Sequence, residues 1–86
     1  MVKQNNRDVP ASVLAVVAQV YELAEGRLQP WYIERSGIDV LGDVDRVNAA
    51  IYYAELNGWL VGAREPAGGV AITPAGVALL EERGVA

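Results

Sequence analysis

Residues 43–60 read DVDRVNAAIYYAELNGWL, and the punctuation of this stretch decides how the rest of the chain is arranged. Val44, Val47, Ile51 and Ala54 recur at steps of three and four, which puts them on one face of a helix. Asp43 stands where an N-cap carboxylate accepts from the first free amides, and Asp45 suits the positive end of the helix dipole. Gly58 supplies the stop, because the residue past a helix end often needs φ > 0. Trp59, Leu60 and Val61 follow at once as an apolar run suited to a strand. A helix that breaks at glycine and runs straight into a strand is the centre of this reading.

Downstream, residues 59–65 and 70–73 are expected to pair across a turn at 66–69, where PAGG has a proline and two glycines. Thr73 then caps a last helix, with Pro74 at its first position, Val77 and Leu80 as apolar members and Gly84 as its stop. Upstream, a short second helix is expected over residues 30–36, opened by Pro30 and closed by Gly37. Trp31, Tyr32 and Ile33 are its apolar anchors, and residues 38–42 form the connecting turn. The first helix has Asp8 as its expected N-cap and Pro10 in its first turn. Val13, Leu14, Val17, Val20, Tyr21 and Ala24 make its apolar stripe, widened by Ala15, Val16 and Leu23 and ended by Gly26. A helix apolar over most of its circumference is either central or faces a second chain, so a homodimer is an expected partner. Residues 1–8 are polar and unpatterned, an expected disordered arm, and residues 9–86 form one domain.

Composition narrows the function. The chain has 86 residues, enough for a single modest core, and its 52% apolar content argues for a folded globule. It contains no cysteine and no histidine, which removes disulfides, thiolate and most zinc sites, the usual general base and the common nucleophilic dyads. The net charge of −4 disfavours nonspecific attraction to nucleic acid or anionic membrane. Lys3 and Arg7 before the apolar run at 9–18 loosely imitate a signal peptide, but Asp8 and Pro10 fit that badly. The run is also shorter than the roughly 20 apolar residues a membrane span needs. A cytoplasmic protein is the expectation.

The order helix-helix-helix-strand-strand-helix, mainly α with a small β-hairpin, resembles the winged helix-turn-helix fold of MarR-like and PadR-like regulators. Two motifs carry the likeness. Ile51, Ala54, Glu55, Gly58 and Trp59 match the ending of their recognition helix, and TPAGVALLE at 73–81 is similar to the segment that follows their wing. The resemblance covers roughly residues 9–84. It implies a small DNA-binding transcriptional regulator, whose third helix would present Arg46 to a phosphate or guanine and Asn48 to adenine. Arg64 on the wing, with Lys3 and Arg7, would add phosphate contacts.

The residues themselves leave a second reading open. Between positions 30 and 57 stand Glu34, Asp39, Asp43, Asp45 and Glu55 against Arg35 and Arg46, the wrong sign for a phosphate backbone. Where relatives often place arginines, this chain has Ala49, Tyr52 and Tyr53. Aromatic residues with few charges around them mark the core of a protein interface. The alternative is therefore a protein–protein interaction module that binds no DNA and uses Tyr52, Tyr53 and Leu56. Tyr52 and Leu56 have a third possible use, packing under the wing or against the first helix. No cofactor, metal or enzymatic activity is expected. Asp39, Asp43 and Asp45 lack EF-hand spacing, Gly68 and Gly69 precede no Lys-Ser/Thr pair, and Glu81 and Glu82 sit on a terminal helix.

Overall fold

The computed structural model describes residues 9–63 and 68–85. Its order is α1 (Ala11–Leu23), β1 (Ile33–Glu34), a 3-10 turn (Arg35–Gly37), α2 (Val44–Leu56), β2 (Leu60–Gly62), β3 (Gly69–Ile72) and α3 (Pro74–Glu82). The architecture is mixed α/β, three helices on a three-stranded antiparallel sheet of order β1-β3-β2.

The expected second helix over residues 30–36 is not formed. The Gln29–Pro30 peptide is cis, and the chain continues into β1, where Ile33 pairs with Val70 and Glu34 with Gly69. Trp31, Tyr32 and Ile33 are aromatic and β-branched, types that suit a strand at least as well as one helical turn. β3 offered an unpaired edge, and filling it took precedence over the helix. Only Arg35–Gly37 keeps a helical turn, with Gly37 inside it and not past its end. The hairpin forms in the register Leu60 to Ile72, Val61 to Ala71 and Gly62 to Val70. Gly69, expected in the turn, belongs to β3, while Arg64, Glu65 and Pro66 lie outside the described residues.

The helix ends follow the sequence closely. Asp43 Oδ1 accepts from the Asp45 amide at 2.8 Å and the Arg46 amide at 3.3 Å. Thr73 Oγ1 accepts from the Gly76 amide at 3.0 Å. At the N-terminus of α1 the cap position is Pro10, without a side-chain cap, and not the expected Asp8, which lies outside the described residues. All three helices close with a paired carbonyl capture by the two amides beyond the cap. The Glu25 and Gly26 amides donate to Glu22 and Tyr21, those of Gly58 and Trp59 to Glu55 and Ala54, and those of Gly84 and Val85 to Glu81 and Leu80. The left-handed position is Gly58 in α2 and Gly84 in α3, but in α1 it is Glu25, at φ 55°.

α1 is the central helix. Val13, Val16, Val17 and Val20 are buried, and α1 meets α2, α3 and β3. Its wide apolar stripe is thus used within the chain, with Leu14, Ala18 and Tyr21 packed at the margin of the core. Leu23, expected to widen the stripe, is exposed instead, while Ala24 is buried. Val47, Ala50, Ile51 and Ala54 of α2, Leu60, Val70 and Ile72 of the sheet, and Leu80 of α3 complete the core.

Gly76 has a steric role that its place in α3 does not advertise. A Cβ there would collide with the Trp59 carbonyl oxygen and lie 2.7 Å from Ile72 Cγ1. Gly76→Ala is therefore expected to lose about 2 kcal/mol, as forced overpacking does. Glu25→Gly should gain up to about 1 kcal/mol, because glycine adopts the left-handed conformation without the side-chain penalty. Urea midpoints at unchanged m-value check both.

Candidate interaction surface

α2 carries two faces of different chemistry. Its buried side is Val47, Ala50, Ile51 and Ala54. At 100° per residue, the positions opposite that stripe are Asp45, Ala49, Tyr52 and Leu56. Tyr52 is 64% exposed and Leu56 68%, so neither packs under the hairpin or against α1. They stand one turn apart, a spacing at which side chains on a helix surface are neighbours. Val44, expected on the buried face, is 74% exposed, because it precedes the point where the helix meets the core.

The other residues singled out by sequence flank this ridge. Tyr53 is turned toward the hairpin, its ring 6.3 Å from that of Trp59 at a tilt of 34°. Arg46 is exposed and borders a shallow groove with Pro10, Ser12, Ala49 and Tyr53. Asn48 is engaged within the chain, its Oδ1 accepting from Arg35 Nη1 at 3.2 Å. Lys3, Arg7 and Arg64 lie outside the described residues. Arg46 is the only cation on α2, which also carries Asp45 and Glu55.

Two residues that sequence reading passed over set the shape of the surface. Arg35, in the 3-10 turn, bonds Asn48 and lies 3.9 Å from Glu55 Oε2, so its charge is matched from α2. Gln19 ties down the loop leading into α2. Its Oε1 accepts from the Asp39 and Val40 amides at 3.0 Å each, and its Nε2 donates to Asp39 Oδ1 at 2.8 Å. Gln19 had a legible signal, as the one polar residue between Val13 and Tyr21 of an otherwise apolar helix. Arg35 had none, since its partners are 13 and 20 positions away.

Between this loop and α2 lies an open groove of about 490 Å³. Ile38, Val44 and Val47 supply its apolar lining, and Asp39, Asp43 and Arg35 its charged one. Elsewhere Trp31 and Tyr32 are exposed, contrary to their expected anchoring role, and the Arg27 guanidinium carbon sits 4.4 Å from the centre of the Trp31 ring. Among the described residues no three His, Cys, Asp or Glu side chains gather to hold a metal ion. Among those residues, too, no helix is long and apolar enough to cross a membrane.

Comparison of the chain with protein-family models, curated proteins and solved structures returned no match. The surface is therefore interpreted from its own chemistry.

If Tyr52 and Leu56 have no structural duty, Tyr52→Ser and Leu56→Ser should each shift stability by no more than about 0.5 kcal/mol. Gln19→Ala should cost about 1 kcal/mol, because the loop amides lose a fixed acceptor. Chemical denaturation of the three variants tests this division.

Proposed function

We propose that this chain is a winged-helix module that binds a protein partner through the solvent face of α2, and that it is not an enzyme. In this reading α2 holds the recognition-helix position and the β2–β3 hairpin is the wing. One observation carries the proposal. Tyr52 and Leu56 stand on the outer face of the last turns of α2, about two thirds exposed, where no part of the described chain covers them. A tyrosine and a leucine side by side lose apolar surface favourably to a partner, and the tyrosine hydroxyl remains free to bond at the rim. The charge on the helix supports the same reading, with Asp45 and Glu55 against Arg46.

The DNA-binding regulator is the second reading, favoured by the position of Arg46. It borders the groove at Pro10, where the chain enters α1, and Arg7 is three residues away in sequence. An arginine at that position, joined by Arg7, Lys3 and Arg64, would supply phosphate contacts.

Fluorescence anisotropy with a mixed-sequence DNA duplex at low and near-physiological salt separates the two. The interaction module is expected to show no salt-dependent binding. Steep binding whose salt slope falls by about one unit in each of Arg46→Ala and Arg64→Ala would overturn it in favour of the regulator.

A further inference from the structure

We infer that the partner's contacting segment is a short basic amphipathic stretch. Its apolar residues would cover Tyr52 and Leu56, and its Lys or Arg side chains would enter the groove at the start of α2. This rests on the protein-binding reading above and adds the chemistry of the partner.

Val44 joins the two parts of the surface, since it lies on α2 with the ridge and also lines the groove. Ile38 and Val47, each 4% exposed, form the floor of the groove, and the exposed Val44 on its wall offers apolar surface to the aliphatic stem of a lysine or arginine, whose charge stays wet. Asp39 and Asp43 stand where that charge would arrive. In each, the structure occupies Oδ1, through Gln19 in one and the helix cap in the other. Among the described residues nothing bonds their Oδ2 atoms. Among the described residues Arg35 is the one cation lining the groove, and Asn48 and Glu55 already engage it. Three acids at this end, Asp39, Asp43 and Asp45, outweigh Arg46 and the roughly half charge of the helix N-terminus together. The surface is thus apolar toward the C-terminal end of α2 and acidic at the N-terminal end, on a chain of net charge −4. Such a pattern selects a partner of the opposite sign.

The probe is a fluorescein-labelled synthetic helical peptide with leucines at helical spacing and lysines flanking them, compared with a twin in which glutamate replaces lysine. The lysine peptide is expected to bind, and the glutamate twin to bind far more weakly. Asp39→Asn with Asp43→Asn keeps both hydrogen-bond acceptors and the cap while removing the charges. That pair should weaken binding about fivefold, the size of two exposed ion pairs. Glu22→Gln with Glu81→Gln, acids on α1 and α3, should leave it unchanged.

Equal affinity for the two peptides, or equal weakening by the control pair, would overturn the inference. If Tyr52→Ser with Leu56→Ser abolishes peptide binding but the Asp-to-Asn pair has no effect, the basic-partner inference fails and the protein-binding reading stands. If the Asp-to-Asn pair weakens binding and the ridge variants do not, the ridge reading itself fails. Absence of peptide binding together with a concentration-dependent dimer abolished by Tyr52→Ser would identify a second copy as the occupant and overturn the inference.

Discussion

The reversal at Gly58 and Trp59 is clamped to the start of α3, and the relative placement of α2, the β2–β3 pair and α3 depends on that clamp. Thr73 is its hinge pin. The Thr73 amide donates to the Trp59 carbonyl, its hydroxyl donates to the Gly58 carbonyl, and the same oxygen accepts from the Gly76 amide to cap α3. Gly76 then allows the helix backbone to come against the Trp59 carbonyl without a side chain between them. One end of α2, one edge of the sheet and the first turn of α3 are thereby held in a single arrangement. Buried apolar contacts are non-directional, so they stabilise this arrangement without selecting it. The directional bonds around Thr73 do the selecting.

Orientation of α2 follows from this clamp at its C-terminal end and from a polar one at its N-terminal end. Gln19 holds Asp39 and Val40, and Arg35 reaches from the 3-10 turn to Asn48 and Glu55. Each of these bonds is modest, because all are open to water and so net little. Their effect is geometric. With both ends fixed, the helix cannot roll to bury Tyr52 and Leu56 without losing Ile51 and Ala54 from the core. The apolar pair is thereby left outside, on an element whose position is fixed at both ends.

The electrostatics of that face weigh against nucleic acid for a reason of number more than of geometry. A DNA-binding helix gains most of its affinity by neutralising several phosphates. α2 has one cation to contribute, and Arg35, which reaches it from the 3-10 turn, is already matched by Glu55. Lys3, Arg7 and Arg64, outside the described residues, would have to supply the remainder against two acids on the helix itself. A protein partner requires no such surplus, and the acidic end of the surface becomes a source of specificity instead.

Much of the fold was legible because its signals are local. Asp43 and Thr73 cap as their side chains imply, Gly58 and Gly84 end helices in the left-handed conformation they permit, and a hairpin follows Trp59, although Val70 stands opposite Gly62 where the expected turn at 66–69 puts it opposite Glu65. The apolar spacing of residues 47–54 likewise placed the inner face of α2. Residues 30–36 carry no such local decision, because Trp31, Tyr32 and Ile33 suit a helical turn or a strand, and only the edge of β3, distant in sequence, decides for the strand. The site divided along the same line. That Tyr52 and Leu56 share the outer face of a helix is a matter of period, written in the sequence. That nothing in the described chain covers them, that Asn48 answers Arg35, and that Ile38, Asp39 and Val44 meet in one groove required the tertiary structure. Those facts depend on pairs separated by many residues, and no local rule of spacing or propensity carries information over that distance.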